Sequence, residues 1–174
     1  MHSANTERLI KSLHGKDKIR VLFVCLGNIC RSPAADGIFH AVVEAHGDAE
    51  HWEIDSAGIG AWHTGQLPDQ RMRVHARRRG YELTHRARQV KPYDFENFDI
   101  IIGMDSQNIA DLRRLSPTPE DEAKIVPMID FVKNRVTRYD HVPDPYYEGS
   151  EGFELVLDLL EDACEGLWGE MLEE

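Results

Sequence analysis

Short apolar runs, separated by glycine-rich and polar stretches, set the rhythm of this chain. Ile19-Arg20-Val21-Leu22-Phe23-Val24 is nearly continuous in β-branched and apolar residues, the pattern of a strand buried on both faces. It runs into Cys25-Leu26-Gly27-Asn28-Ile29-Cys30-Arg31-Ser32, followed by Pro33. Ser32 before Pro33 predicts a helix start, with the hydroxyl as cap. Ile38, Val42 and Val43 carry helical spacing on to about Ala45. Trp52–Ser56 predicts a second strand, and Gly58, Gly60 and Gly65 make the next stretch a loop. Pro68 to Arg79 reads as a helix ended by Gly80. Asp99–Gly103 is a third buried strand, and Ser106 is expected to cap a helix through Arg114 that Pro117 stops. Lys124–Met128 is a fourth strand, placed at an edge by its proline. Phe153–Trp168 is the clearest helix: Phe153, Val156, Leu157, Leu160, Cys164 and Leu167 share one face, and acidic residues occupy the other.

Strands alternating with helices predict an α/β fold, a four-stranded parallel sheet flanked by helices on both faces. Ligands in such folds bind at the carboxyl ends of strands, and the loop Cys25–Ser32 stands at such an end. With 174 residues the chain fits one domain. Residues 1–17 are polar and read as an extension with a short helix near Glu7–Leu13; residues 18–174 form the domain. Three cysteines are too few for a disulfide scaffold, no apolar run reaches the ~20 residues of a membrane span, and the N-terminus lacks a signal-peptide core. A soluble cytoplasmic protein is expected.

Charge changes this picture only in part. Twenty lysines and arginines against 31 acids give a net charge of −11, which disfavours nucleic acid and anionic membranes as partners. Residues 144–174 hold eleven acids and no lysine or arginine, so the first 143 residues balance at 20 − 20 = 0. The acidic face of the last helix is expected to be solvated and says little about a local anion site. Residues 71–91 carry eight basic residues against one acid, Glu82. That block reads either as a solvated helix face or as an attractor of acidic phosphopeptides.

The loop after the first strand carries the candidate chemistry. A chain leaving a buried strand and entering a helix turns backbone N–H groups and the positive helix end onto one spot. Gly27 and Asn28 tolerate the left-handed backbone such a nest needs. The loop should therefore hold a tetrahedral oxyanion, with Arg31 as a fixed fork on two of its oxygens. Cys25, at the floor, is expected to be a thiolate, because helix N-termini and cations lower thiol pKa values. Ser32 can hydrogen-bond it. A phosphate monoester also needs an acid for its leaving oxygen, and Asp144, between Pro143 and Pro145, is the candidate. Trp62, Tyr146 and Tyr147 can wall an aromatic leaving group. Nine histidines and three cysteines show no zinc-ligand spacing, so no metal is expected.

CLGNICRSP at 25–33, DSAG at 55–58, AWH at 61–63, HRARQ at 85–89, GMD at 103–105 with Asn108, and DPYY at 144–147 together resemble the low-molecular-weight protein tyrosine phosphatases. The resemblance spans about Lys18 to Trp168. It implies a Rossmann-like phosphatase fold and hydrolysis of phosphotyrosine in proteins, and of small aryl phosphates, through a cysteinyl-phosphate. Cys25 would be the nucleophile, Arg31 the phosphoryl-binding group, and Asp144 the acid and then the base. Leu26, Gly27, Asn28, Ile29, Cys30 and Ser32 would complete the phosphate-binding loop, supported by Ser56, His85 and Asp105. Cys30 would be either a packed thiol or a partner for a reversible disulfide with Cys25. No cofactor is implied. Partners would be phosphotyrosine proteins, a tyrosine kinase or its substrates among them, with inorganic phosphate as product and the enzyme a monomer or weak dimer. The stretch Phe131–Val142 is long and polar compared with the family pattern.

Three rival readings remain. An arsenate reductase on this scaffold relays electrons through further cysteines, and only Cys164 lies beyond the loop. Phosphoarginine phosphatases resemble this chain but carry threonine where Ile29 stands. A phosphate-binding module without turnover would have no need of both Cys25 and Asp144.

Overall fold

The computed structural model describes residues 3–134, 139–146 and 148–172. Helix α1 (Ala4–Leu13) leads into strand β1 (Ile19–Cys25), helix α2 (Arg31–Ala45) and strand β2 (Trp52–Gly58). Helix α3 (Gln70–Arg78), the short α4 (Asp94–Asn97), strand β3 (Ile100–Gly103) and helix α5 (Ser106–Leu115) follow. The short α6 (Pro119–Glu122), strand β4 (Ile125–Pro127) and helix α7 (Ser150–Glu170) complete the order. The sheet runs β2-β1-β3-β4 and every pairing is parallel, with the proline-bearing β4 at an edge as expected.

Both faces of the sheet are buried, which explains the unbroken apolar run of β1. Val21 and Phe23 point to a core shared with Ile38 and Phe39 of α2 and Val156, Leu157 and Leu160 of α7. Leu22 and Val24 point the other way, toward Phe95 and Phe98 and toward Ile109 and Leu112 of α5. A one-residue slip would exchange the two sets, so β1 is fixed in register from both sides.

Several local expectations change. Ser32 does not cap α2: the helix begins at Arg31, its N-cap is Cys30, and no side chain caps it. Ser106 does not cap α5 either; the Asp105 carboxylate does, accepting from Asn108 N at 2.8 Å. A charged acceptor outcompetes a hydroxyl one residue later. Asp99 stands just before β3 and not in it, because its carboxylate accepts from Arg20 N at 2.8 Å. Pro68 likewise precedes α3, which Asp69 caps.

Part of the N-terminal extension is helix α1, docked on the body of the protein. Ile10 and Leu13 join the larger core, and Thr6 Oγ1 donates to Asp130 at 2.6 Å. Asn5 Nδ2 donates to the carbonyls of Ala123 and Ile125, so α1 covers the outer side of the edge strand. The polar stretch before the acid loop is described only in part; Arg135, Val136, Thr137 and Arg138 lie outside the described residues, as does Tyr147. No helix among the described residues is long and apolar enough to cross a membrane.

Candidate active site

Cys25 is the last residue of β1 and pairs with Gly58 of β2. The chain then crosses Leu26–Cys30 and enters α2. Asn28 carries the bend, with φ 57°, and is the one non-glycine residue with positive φ among the described residues. Gly27 does not share that backbone conformation, contrary to expectation; the turn needs one left-handed residue, and Asn28 supplies it. Close approach matters more at Gly58, where a Cβ would stand 2.9 Å from Asn28 N. Only glycine lets the end of β2 lie against the loop.

Asn28 is also the loop's hydrogen-bonding hub. Its Nδ2 donates to Ser32 Oγ at 2.7 Å and Ser56 Oγ at 3.1 Å. Its Oδ1 accepts from His85 Nε2 at 3.1 Å and Arg88 N at 3.0 Å. Both donors and both acceptor positions of the amide are used. Ser32 Oγ lies 3.1 Å from Cys25 Sγ and 3.3 Å from the Ala57 carbonyl. Its single proton goes to the sulfur when that is a thiolate, since a charged acceptor binds more strongly.

Arg31 opens α2 and is 2% exposed. Its Nη1 donates to Asp105 Oδ2 at 2.6 Å and to the Val142 carbonyl at 3.1 Å. Its Nη2 lies 3.6 Å from Asp144 Oδ2. Burial alone would lower the guanidinium pKa, but the charges of Cys25, Asp105 and Asp144 outweigh it and the net shift is upward, so Arg31 stays a cation. Asp105 thus holds the arginine from the end of β3, while Ser56 and His85 hold the loop from behind.

Asp144 is half-exposed, with Oδ1 accepting from Tyr146 N at 3.0 Å. A pocket of about 200 Å³ opens above the loop, lined by Cys25, Ile29, Arg31, Trp62, Asp144 and Tyr146, with His63 at its side. Arg71 stacks on the Tyr146 ring at 5.3 Å and on Phe153 at 5.0 Å, while its guanidinium holds Asp69. The Asp69 amide in turn donates to the Ile29 carbonyl at 2.7 Å. Cys30 is buried in the loop, and burial pushes its thiol well above the ordinary range, so it stays protonated. Cys164 is fully buried in α7 and lines no part of this pocket.

One trio of metal-type ligands occurs among the described residues: Asp36, Asp55 and His85, behind the loop. Its donors already face one another and their neighbours: His85 Nδ1 lies 3.5 Å from Asp55 and 3.7 Å from Asp36, Asp36 bonds His40, and Asp55 bonds Arg88.

A sequence model described as low molecular weight phosphotyrosine protein phosphatase matches residues 20–174. The chain belongs to that family. A low molecular weight protein-tyrosine-phosphatase of Streptomyces coelicolor is 41% identical over 89% of this chain and 94% of its own length. The low molecular weight phosphotyrosine protein phosphatase of Schizosaccharomyces pombe is 44% identical over 78% of this chain and 85% of its own. A crystal structure of the Entamoeba histolytica protein tyrosine phosphatase, with Hepes in its active site, superposes with a TM-score of 0.85 at 44% identity, covering 88% of this chain and 97% of that one. A Drosophila arginine phosphatase shares the fold at TM-score 0.82 and 30% identity, covering 90% of this chain and 99% of that one. The family fold thus carries more than one leaving-group chemistry, and the pocket wall has to decide between them.

As a phosphatase of this family, the chain adds site residues that patterning did not single out. His63 follows the expected Trp62 into the pocket. Arg71 looked like one member of a basic block, and only the fold brings it over Tyr146. Arg88 lay within the HRARQ motif, yet its backbone bond to Asn28 has no side-chain signature.

Proposed function

We propose that this protein hydrolyses phosphotyrosine in proteins, and small aryl phosphates, through a cysteinyl-phosphate. The observation that carries the reading is the convergence of Cys25, Arg31 and Asp144 on one small pocket. The Cys25 thiolate attacks phosphorus, the bond to the phenolic oxygen breaks, and Asp144 gives that oxygen its proton. Arg31 and the uncapped start of α2 hold the charge gathering on the equatorial oxygens. Water then attacks the cysteinyl-phosphate, Asp144 takes the water's proton, and inorganic phosphate leaves. Ile29, Trp62 and Tyr146 offer an aromatic ring apolar walls, and the buried Ile29 favours phosphotyrosine over phosphoarginine. The sequestered Cys164 disfavours arsenate reduction, which needs a cysteine relay.

Steady release of p-nitrophenol from p-nitrophenyl phosphate tests the reading. Cys25→Ser should abolish turnover. Asp144→Ala should lower kcat by about 10²-fold or more, most for poor leaving groups. Wild-type turnover by Cys25→Ser would overturn the mechanism, and no turnover by the intact protein would leave only a phosphate-binding module.

The same reading gives Cys30 a protective role. Peroxide converts the Cys25 thiolate to a sulfenic acid; the Cys30 sulfur displaces water from it and closes a disulfide that thiols reopen. Mass spectrometry showing only sulfinic and sulfonic forms of Cys25 would exclude this. Three unpaired cysteines fit a reducing cytoplasm, and phosphotyrosine proteins, a tyrosine kinase or its substrates among them, are the expected partners.

A further inference from the structure

Trp62 lines two depressions, the pocket that holds Cys25, Arg31 and Asp144 and an open groove of about 400 Å³. Leu26 and Trp62 line both. They are also among the most exposed large apolar residues of the protein, at 40% and 69%. Ile59, Val90 and Leu115 line the rest of the groove's apolar surface. An exposed apolar surface continuous with a catalytic pocket marks a binding surface.

We propose that this groove is a second subsite, which takes an apolar side chain of the peptide flanking the phosphotyrosine. The proposal rests on the phosphotyrosine reading above and names where its peptide selectivity resides. The groove's polar neighbours are already engaged. Arg114 donates to Asp111 at 2.9 Å. Gln89 donates to the Ile59 carbonyl at 3.1 Å and accepts from Lys91 at 2.9 Å. The two charges in the groove's lining, Asp111 and Arg114, offset each other, so recognition there is mainly by burial of apolar surface.

The groove is also built in advance. Ile59 N donates to the Cys25 carbonyl at 2.9 Å and Val90 N to the Gly58 carbonyl at 2.8 Å, tying two of its residues to the nucleophile's strand end and to the β2 end beside it. The Trp62 ring lies directly on the backbone of Gly60, where a Cβ would collide with it. A wall fixed in this way costs little ordering on binding. A side chain on the same peptide as the phosphotyrosine reaches the groove at high effective concentration once the phosphate is seated.

The test uses phosphotyrosine peptides with alanine at every other position and a single leucine walked through the three positions on each side. Leucine at one position should raise kcat/KM about fivefold, mainly through KM, because this binding is equal in ground and transition states. Leu115→Ala should erase that gain and leave p-nitrophenyl phosphate turnover unchanged, which also reports that the variant is folded. Leu115→Asp should do the same and invert the preference toward a lysine-bearing peptide. A leucine scan flat within twofold, or a gain that survives both variants, overturns the subsite while leaving the phosphatase reading intact. A change of oligomeric state in Leu115→Ala without a change in peptide selectivity would make the groove a self-interface and also overturn it. Absence of any turnover of p-nitrophenyl phosphate by the intact protein would instead remove the phosphotyrosine reading and the subsite with it.

Discussion

Asn28 does two jobs that no other residue type combines. It accepts a left-handed backbone, and its amide joins Ser32 and Ser56 to His85 and Arg88. Asn28→Ala should cost both, about 2–4 kcal/mol in urea unfolding, since a left-handed alanine is strained by roughly 1–2 kcal/mol and buried partners lose their bonds. Asn28→Gly should cost about 1 kcal/mol less, because only the bonds are lost. Equal costs would show that the backbone conformation carries no strain. Asparagine next to glycine after a buried strand made the bend legible in the chain. Which of the two residues takes positive φ was not legible, because both tolerate it. Arg31 shows a similar division: its charge and spacing were readable, but its hold on Asp105 and Val142 joins segments more than 70 residues away.

At the scale of elements, the basic block and the acidic terminal helix answer each other. Arg79, at the end of α3, pairs with Glu154, Asp158 and Glu161 of α7, and Tyr81 donates to Glu161 at 2.6 Å. Arg77 pairs with Glu82 and Arg88 with Asp55 and Asp94. Arg79 and Arg88 of the block are thus spent on packing α3 and the following loop, while Arg77 and Arg78 stay on an exposed face of α3, as the solvated-face reading expects. Arg79 and His75 hold the Glu154 carboxyl below the usual carboxylate range, with Arg79 the larger cause. A depressed carboxyl contributes stability that is fully present above its unfolded value, near pH 4.5, and is lost as pH falls through the lower folded value. Arg79→Ala should accordingly flatten the loss of thermal stability between about pH 5 and pH 3. Unchanged acid sensitivity would show that the cluster does not couple α3 to α7. The size of the effect is modest because Glu154 is partly exposed and screened by solvent.

For the whole molecule, the alternation of strands and helices was enough to predict a parallel sheet covered on both faces, because strands buried on two sides must be apolar throughout. Helix α1 was only half legible. Its polar residues suggested a tail, but Ile10 and Leu13 meet a core assembled from α2, α7 and the sheet. Ile10→Ala should lower stability by about 2–4 kcal/mol, as for a buried core truncation, with specific activity of the folded protein unchanged. A shift below about 0.5 kcal/mol would mean that α1 is not part of the cooperative unit. The net charge of −11 divides in the same way. Its location was plain from the chain; the pairing of three of its acids, Glu154, Asp158 and Glu161, with Arg79 was not. By itself the sequence determined the strand–loop–helix cradle, its cysteine and arginine, and the family, since each depends on neighbours within nine residues or on motif order. Tertiary structure alone decided that Asp105 and Val142 fix Arg31, that Arg71 stacks on Tyr146, and that Trp62 lines both a catalytic pocket and a groove. Those relations join distant segments across the carboxyl ends of the strands, and only the folded sheet sets the distances between them.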